Sequence, residues 1–113
     1  MREPALREEV LAGITGGDAS FERELLAHFL ASTDSDAARL DAAISERASE
    51  RIEAIAHLVQ GRCKTLGAAT LASAGERLEH AASRGSWSDI AEAHARVREE
   101  LAALRRAIAR RLP

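Results

Sequence analysis

Ala56-His57-Leu58-Val59-Gln60-Gly61-Arg62-Cys63-Lys64-Thr65-Leu66-Gly67 repeats its apolar residues by threes and fours. Ala56, Val59, Cys63 and Leu66 then fall on one face of an α-helix, turned inward. His57, Gln60, Gly61 and Lys64 follow at i, i+3, i+4 and i+7 and make a second stripe on another face. A histidine on an outward stripe is accessible, and imidazole is a competent nucleophile near neutral pH. Gly61 is out of place by propensity, because a glycine inside a helix costs about 1 kcal/mol relative to alanine. One turn from His57, its missing side chain clears room for another molecule to approach.

Working outward, the same helix extends back through Ile52 and Ile55 to Ser49, which suits a cap, and stops at Gly67. Upstream, Leu6, Val10 and Ile14 form a short amphipathic stretch, opened by Pro4 and closed by Gly16-Gly17. Asp18 then caps a long helix whose inward residues read Phe21, Leu25, Phe29, Leu40 and Ile44. The polar run Ser32–Asp36 is expected to bend or interrupt it. Downstream, Leu71, Ala74, Leu78 and Ala81 mark a fourth helix ended by Gly85. Ser86 or Ser88 caps a fifth, carrying Ile90, Val97, Leu101, Leu104 and Ile108. The expected helices are roughly 4–14, 19–46, 50–66, 69–84 and 88–111. Their short connections predict an all-α, antiparallel four-helix bundle with a short additional N-terminal helix.

The 113 residues fit a single domain, 1–113. Hydrophobic residues are 46% of the chain but aromatics only 3%, so the core is aliphatic, as close-packed helices prefer. A net charge of −2 with interspersed signs gives no positive field for nucleic acid. The lone cysteine, Cys63, excludes an internal disulfide or a cysteine-rich zinc site and fits a cytoplasmic setting. No run reaches the ~20 apolar residues of a membrane span. The leading MREPALREEV is too charged for a signal-peptide core, and no direct membrane contact is expected.

Ala56-His57 through Gly61, followed by Leu66-Gly67-Ala68, resembles the signature of histidine-containing phosphotransfer (HPt) domains, A-H-x-L-K-G-x-x-x-x-L-G-A. The likeness continues through Leu71, Leu78-Glu79 and Gly85, and Phe21–Phe29 resembles the family's preceding helix. The resemblance implies a four-helix bundle with His57 exposed midway along one helix as the phosphoacceptor. It implies a phosphocarrier without catalysis of its own, accepting a phosphoryl group from a receiver-domain aspartate and passing it to a response-regulator aspartate. Gln60, Gly61 and Lys64 are the expected phosphoryl-supporting residues, and Leu58 and Arg62 are expected at the docking surface. No cofactor is expected on this domain; Mg²⁺ is expected on the partner receiver domain. As an isolated domain it is expected to be a monomer. Such domains often end hybrid sensor histidine kinases, which would place this one at the cytoplasmic end of an inner-membrane sensor.

Two departures bear on mechanism. The family's lysine three residues after the histidine is Gln60, and its preceding leucine is Val59. Gln60 keeps a donor for a phosphoryl oxygen but loses a charge. That sustains an alternative, an HPt-like module that docks receiver domains without phosphotransfer. A second alternative is a sensor using Cys63 as a redox switch or a set of histidines as a metal site. His28, His80 and His94 lack metal-binding helical spacing and read as surface or partly buried residues.

Overall fold

The computed structural model describes residues 3–112. Its five helices are α1 (Glu8–Thr15), α2 (Ala19–Ser45), α3 (Ser49–Leu66), α4 (Ala69–Arg84) and α5 (Trp87–Arg111). Connections of two or three residues force consecutive helices to double back, and α3 packs most extensively on α4, then α4 on α5 and α2 on α3. Ion pairs record the antiparallel sense: Asp34 meets Arg105 and Glu22 meets Arg111, so α5 ascends as α2 descends. The result is the expected four-helix bundle with a short extra helix. At ~1.5 Å per residue the 27 residues of α2 span about 40 Å, close to the molecule's 43 Å long dimension. The 18-residue α3 is shorter, and α1 fills the space beyond its end.

The first helix begins at Glu8, not Pro4. Leu6 is buried ahead of it, and the extended backbone at Arg7 lets its N–H donate to the Gly67 carbonyl at 3.0 Å. A helix starting at Pro4 would forfeit both. The later start also shifts the register, so Leu11 and Thr15 point inward while Ile14 is exposed. Gly67 receives α1 closely: with φ 84° it ends α3, and a Cβ there would lie 2.8 Å from Val10 Cβ.

α2 is continuous through Ser32–Asp36. Its buried residues, Leu26, Phe29, Thr33, Asp36, Leu40 and Ala43, keep helical spacing across the polar run. The Thr33 hydroxyl donates to the Phe29 carbonyl at 2.7 Å, and Asp36 is held by Arg62 of α3 and Arg39. The polar run is therefore satisfied inside the bundle rather than ejected from it. Phe21, expected inward, is 43% exposed, and Leu26 takes the core position beside half-buried Leu25. Asp18 accepts from the Phe21 N–H at 3.1 Å, the cap read from the sequence. Ser49 is instead the first residue of α3, after Ala48.

α3 buries Ile52, Ile55, Ala56, Val59, Cys63 and Leu66, the stripe that its spacing predicts. α4 buries more than predicted, adding Ala72, Gly75 and Ala82, because it is wedged between α3 and α5. At the opposite end from α1, the α2–α3 turn places Arg47 at φ 53° with no glycine to help. Its guanidinium lies 4.9 Å from the Trp87 ring centre, a cation–π contact that ties this turn to the start of α5.

Candidate functional site

His57 stands midway along α3, its side chain 74% exposed. Gly75 of α4 passes close behind it: a Cβ there would meet the Ala56 carbonyl oxygen at 3.4 Å and Gln60 at 3.7 Å. Without that side chain α4 runs near enough for Glu79, one turn further on, to reach across. Glu79 Oε2 lies 3.0 Å from His57 Nδ1. A carboxylate only accepts, so a neutral His57 carries its proton on Nδ1 and leaves the Nε2 lone pair free. Nε2 has no hydrogen-bond partner among the described residues. The ring is thus oriented by a residue from the neighbouring helix.

The flanking residues sort themselves by direction. In the orientation that satisfies both its neighbours, the Gln60 amide donates to Glu79 Oε1 at 2.9 Å and accepts from Lys64 Nζ at 3.0 Å. Gln60 therefore steadies Glu79 with one amide hydrogen and keeps a second N–H to donate elsewhere. Lys64 is exposed one turn beyond. A Cβ on Gly61 would meet nothing within 4 Å, so no neighbour in the fold demands this glycine. Leu58 is 40% exposed beside His57, where an apolar contact with a partner would be made. Arg62, expected at that surface, turns to the opposite side of α3 and pairs with Asp36, whose side chain is 3% exposed. It braces α3 against α2.

Cys63 is fully buried, and burial, with the Asp36 carboxylate adding to it, pushes its thiol up to about 12. A thiol that stays protonated and enclosed is a poor redox switch. Among the described residues no three His, Cys, Asp or Glu side chains converge to hold a metal. Of the other histidines, His94 Nε2 meets Asp41 Oδ1 at 2.8 Å and joins α5 to α2. Sequence spacing missed Glu79 and Gly75. Glu79 was visible only as part of the family-like Leu78-Glu79, and Gly75 only as a second glycine inside a helix.

A helical bundle offering one exposed, oriented histidine on its surface is the arrangement of a histidine phosphotransfer domain. The Hpt domain family model matches residues 24–107, and the chain belongs to that family, whose members carry phosphoryl groups in phosphorelay signalling. Its fold is similar to the crystal structure of histidine-containing phosphotransfer protein B (HptB) from Pseudomonas aeruginosa PAO1, with a TM-score of 0.88 and 24% sequence identity over 96% of this chain and 95% of that one. Among curated proteins no sequence matches the chain. Among the described residues no helix is long and apolar enough to cross a membrane.

Proposed function

We propose that His57 is the phosphoacceptor and that the chain relays phosphoryl groups between receiver domains. The observation that carries this reading is the Glu79 contact to Nδ1, which leaves Nε2 as the exposed nucleophile. In the accepting step the Nε2 lone pair attacks phosphorus in line, a P–N bond forms, and the P–O bond to the donor aspartate breaks. The aspartate leaves as carboxylate. In the donating step a second receiver's aspartate attacks, the P–N bond breaks, and its electron pair returns to Nε2. Glu79 holds the Nδ1 proton throughout, so the ring neither turns nor changes tautomer. The Mg²⁺ that screens charge on the transferring group belongs to the receiver's acidic pocket, and the chain itself acts as a carrier rather than an enzyme. Leu58 and the open surface at Gly61 make a modest, transient contact, as signalling encounters do. The setting is cytoplasmic and the domain works as a monomer.

The test is phosphoryl transfer from phosphorylated receiver domains to the parent chain and to His57→Gln, with Mg²⁺ present. Acid-labile, base-stable label on the parent and none on the variant is the expected result. A folded parent that binds receivers yet takes no label would make it a docking module instead.

A further inference from the structure

The stripe that carries His57 is charged in opposite senses at its two ends. Glu50 and Glu53 precede His57 along α3, and Lys64 follows it. Glu50, Glu53 and Ala54 line one open hollow of about 430 Å³ with His57 and Glu79. Ion pairs join Glu46 to Arg51, Asp34 to Arg105, Asp89 to Arg84 and Glu8 to Arg111. Glu50, Glu53 and Lys64 have no ion-pair partner among the described residues. Acids near the start of a helix and a base near its end also suit the helix dipole. The dipole accounts for those signs, but it does not require unpaired charges on the stripe of the nucleophile.

From Glu50 to Lys64 is about 21 Å at the helical rise. That span fits within the footprint of one partner, whose contact covers roughly 800 Å² on each side. Anything that brings a phosphoryl group to His57 must therefore cover both poles at once.

We propose that this polarity decides which way round a receiver domain docks: a cationic side chain of the receiver rim seats over Glu50 and Glu53, and an acidic one over Lys64. Receivers with the reverse arrangement are rejected by like-charge contact at both ends. Glu50, Glu53 and Lys64 would thus set partner choice and on-rate, and Glu79 and Gln60 would set the chemistry at the ring. The inference rests on His57 being the phosphoacceptor.

The experiment uses the full chain and the receiver domain that labels it fastest. Charge reversals Glu50→Lys with Glu53→Lys, and separately Lys64→Glu, are compared with the parent at low and high salt. Each reversal is expected to lower the second-order transfer rate about tenfold at low salt, with the loss shrinking as salt screens the contact. Reversing one cationic rim residue of the receiver should restore the Glu50/Glu53 variant and not the Lys64 variant. The neutral pair Glu50→Gln with Glu53→Gln, a milder change for the fold, should show an intermediate loss. Equal rates for parent and reversals at low salt would overturn the polarity, as would a loss that no receiver reversal repairs. A parent that binds receivers but stays unlabelled would overturn the phosphoacceptor reading, and the same variants' affinities would still judge the docking polarity.

Discussion

At His57 the Glu79 carboxylate takes over a task that a mid-helix backbone cannot perform, because the carbonyls there are engaged in the helix ladder. Its contact with Nδ1 selects the tautomer, and its second oxygen is held by Gln60. A hydrogen bond of this kind is worth about 1 kcal/mol net, so Glu79→Ala should slow labelling of His57 about fivefold. Glu79→Gln should retain most of the rate, since its amide oxygen still accepts from Nδ1. Equal rates for parent and Glu79→Ala in single-turnover transfer would show that the ring needs no orienting partner. This residue was hard to read from the chain, because Gly67 ends the helix between His57 and Glu79, 22 positions on; the contact depends on how α4 lies across α3. Cys63 is the opposite case, its inward position plain from spacing alone. Its thiol is pushed from 9.0 to about 12 in the fold, so the folded state keeps a proton that the unfolded state releases. The contribution is complete below pH 9 and is lost as pH rises toward 12. Relative to Cys63→Ala, the parent should lose about 1.4 kcal/mol of stability per pH unit in that window. Denaturant titrations at successive pH values would measure it, and parallel curves for the two proteins would contradict the burial argument.

Within the elements, the pattern was legible in α3 and α5, less so in α1 and α2, where Ile14 and Phe21 read as inward and are exposed, and obscure wherever a helix buries polar residues. The six inward residues of α3 follow directly from their spacing. The Ser32–Asp36 run of α2 reads as a break because composition registers polarity and not pairing, and the partner of Asp36 lies 26 residues away on α3. That ion pair sets α2 against α3, and removing Arg62 leaves a buried carboxylate with only Arg39, at 3.5 Å. Arg62→Ala should therefore cost about 2 kcal/mol, below the value for a fully buried pair because the guanidinium is 38% exposed. The joint change with Asp36→Asn should recover part of that loss in thermal or denaturant unfolding. A single variant as stable as the parent would mean that the pair is decorative. Gly61 inverts the usual relation of stability to function. Nothing in the fold occupies the space its Cβ would take, so Gly61→Ala should stabilise α3 by up to about 1 kcal/mol. The added methyl would still stand one turn from His57, and transfer from a receiver should slow. A variant that is both more stable and equally fast would show that the glycine serves no partner.

Across the whole molecule the bundle divides into a working middle and a closed far end. The long α2 and α5 outrun α3, and the gap is sealed by α1 and by Arg111, which reaches Glu22 of α2 at 2.8 Å and Glu8 of α1 at 2.5 Å. The Glu22 hydrogen bond, with Glu8 adding to it, raises the already high affinity of this guanidinium for its proton, so Arg111 stays protonated. The existence of this clamp could not be read from the chain, where the terminal arginines look like partners for the helix dipole. Three helices meeting at one side chain make a local lock. Along α2, Glu22 lies 14 residues from Asp36, the residue that faces Arg62, or about 21 Å. Arg111→Ala should consequently cost about 1 kcal/mol, limited by the exposure of Glu8, with the loss confined to one end. Backbone amides of α1 and of the adjoining ends of α2 and α5 should exchange faster, while those around His57 keep their protection. Phosphotransfer to His57 should stay within about twofold of the parent, because a closing lock at one end adds nothing to the ring's orientation at the middle. Accelerated exchange spread evenly through α3 and α4 would show that the bundle opens as one cooperative unit and that the far end supports the site after all.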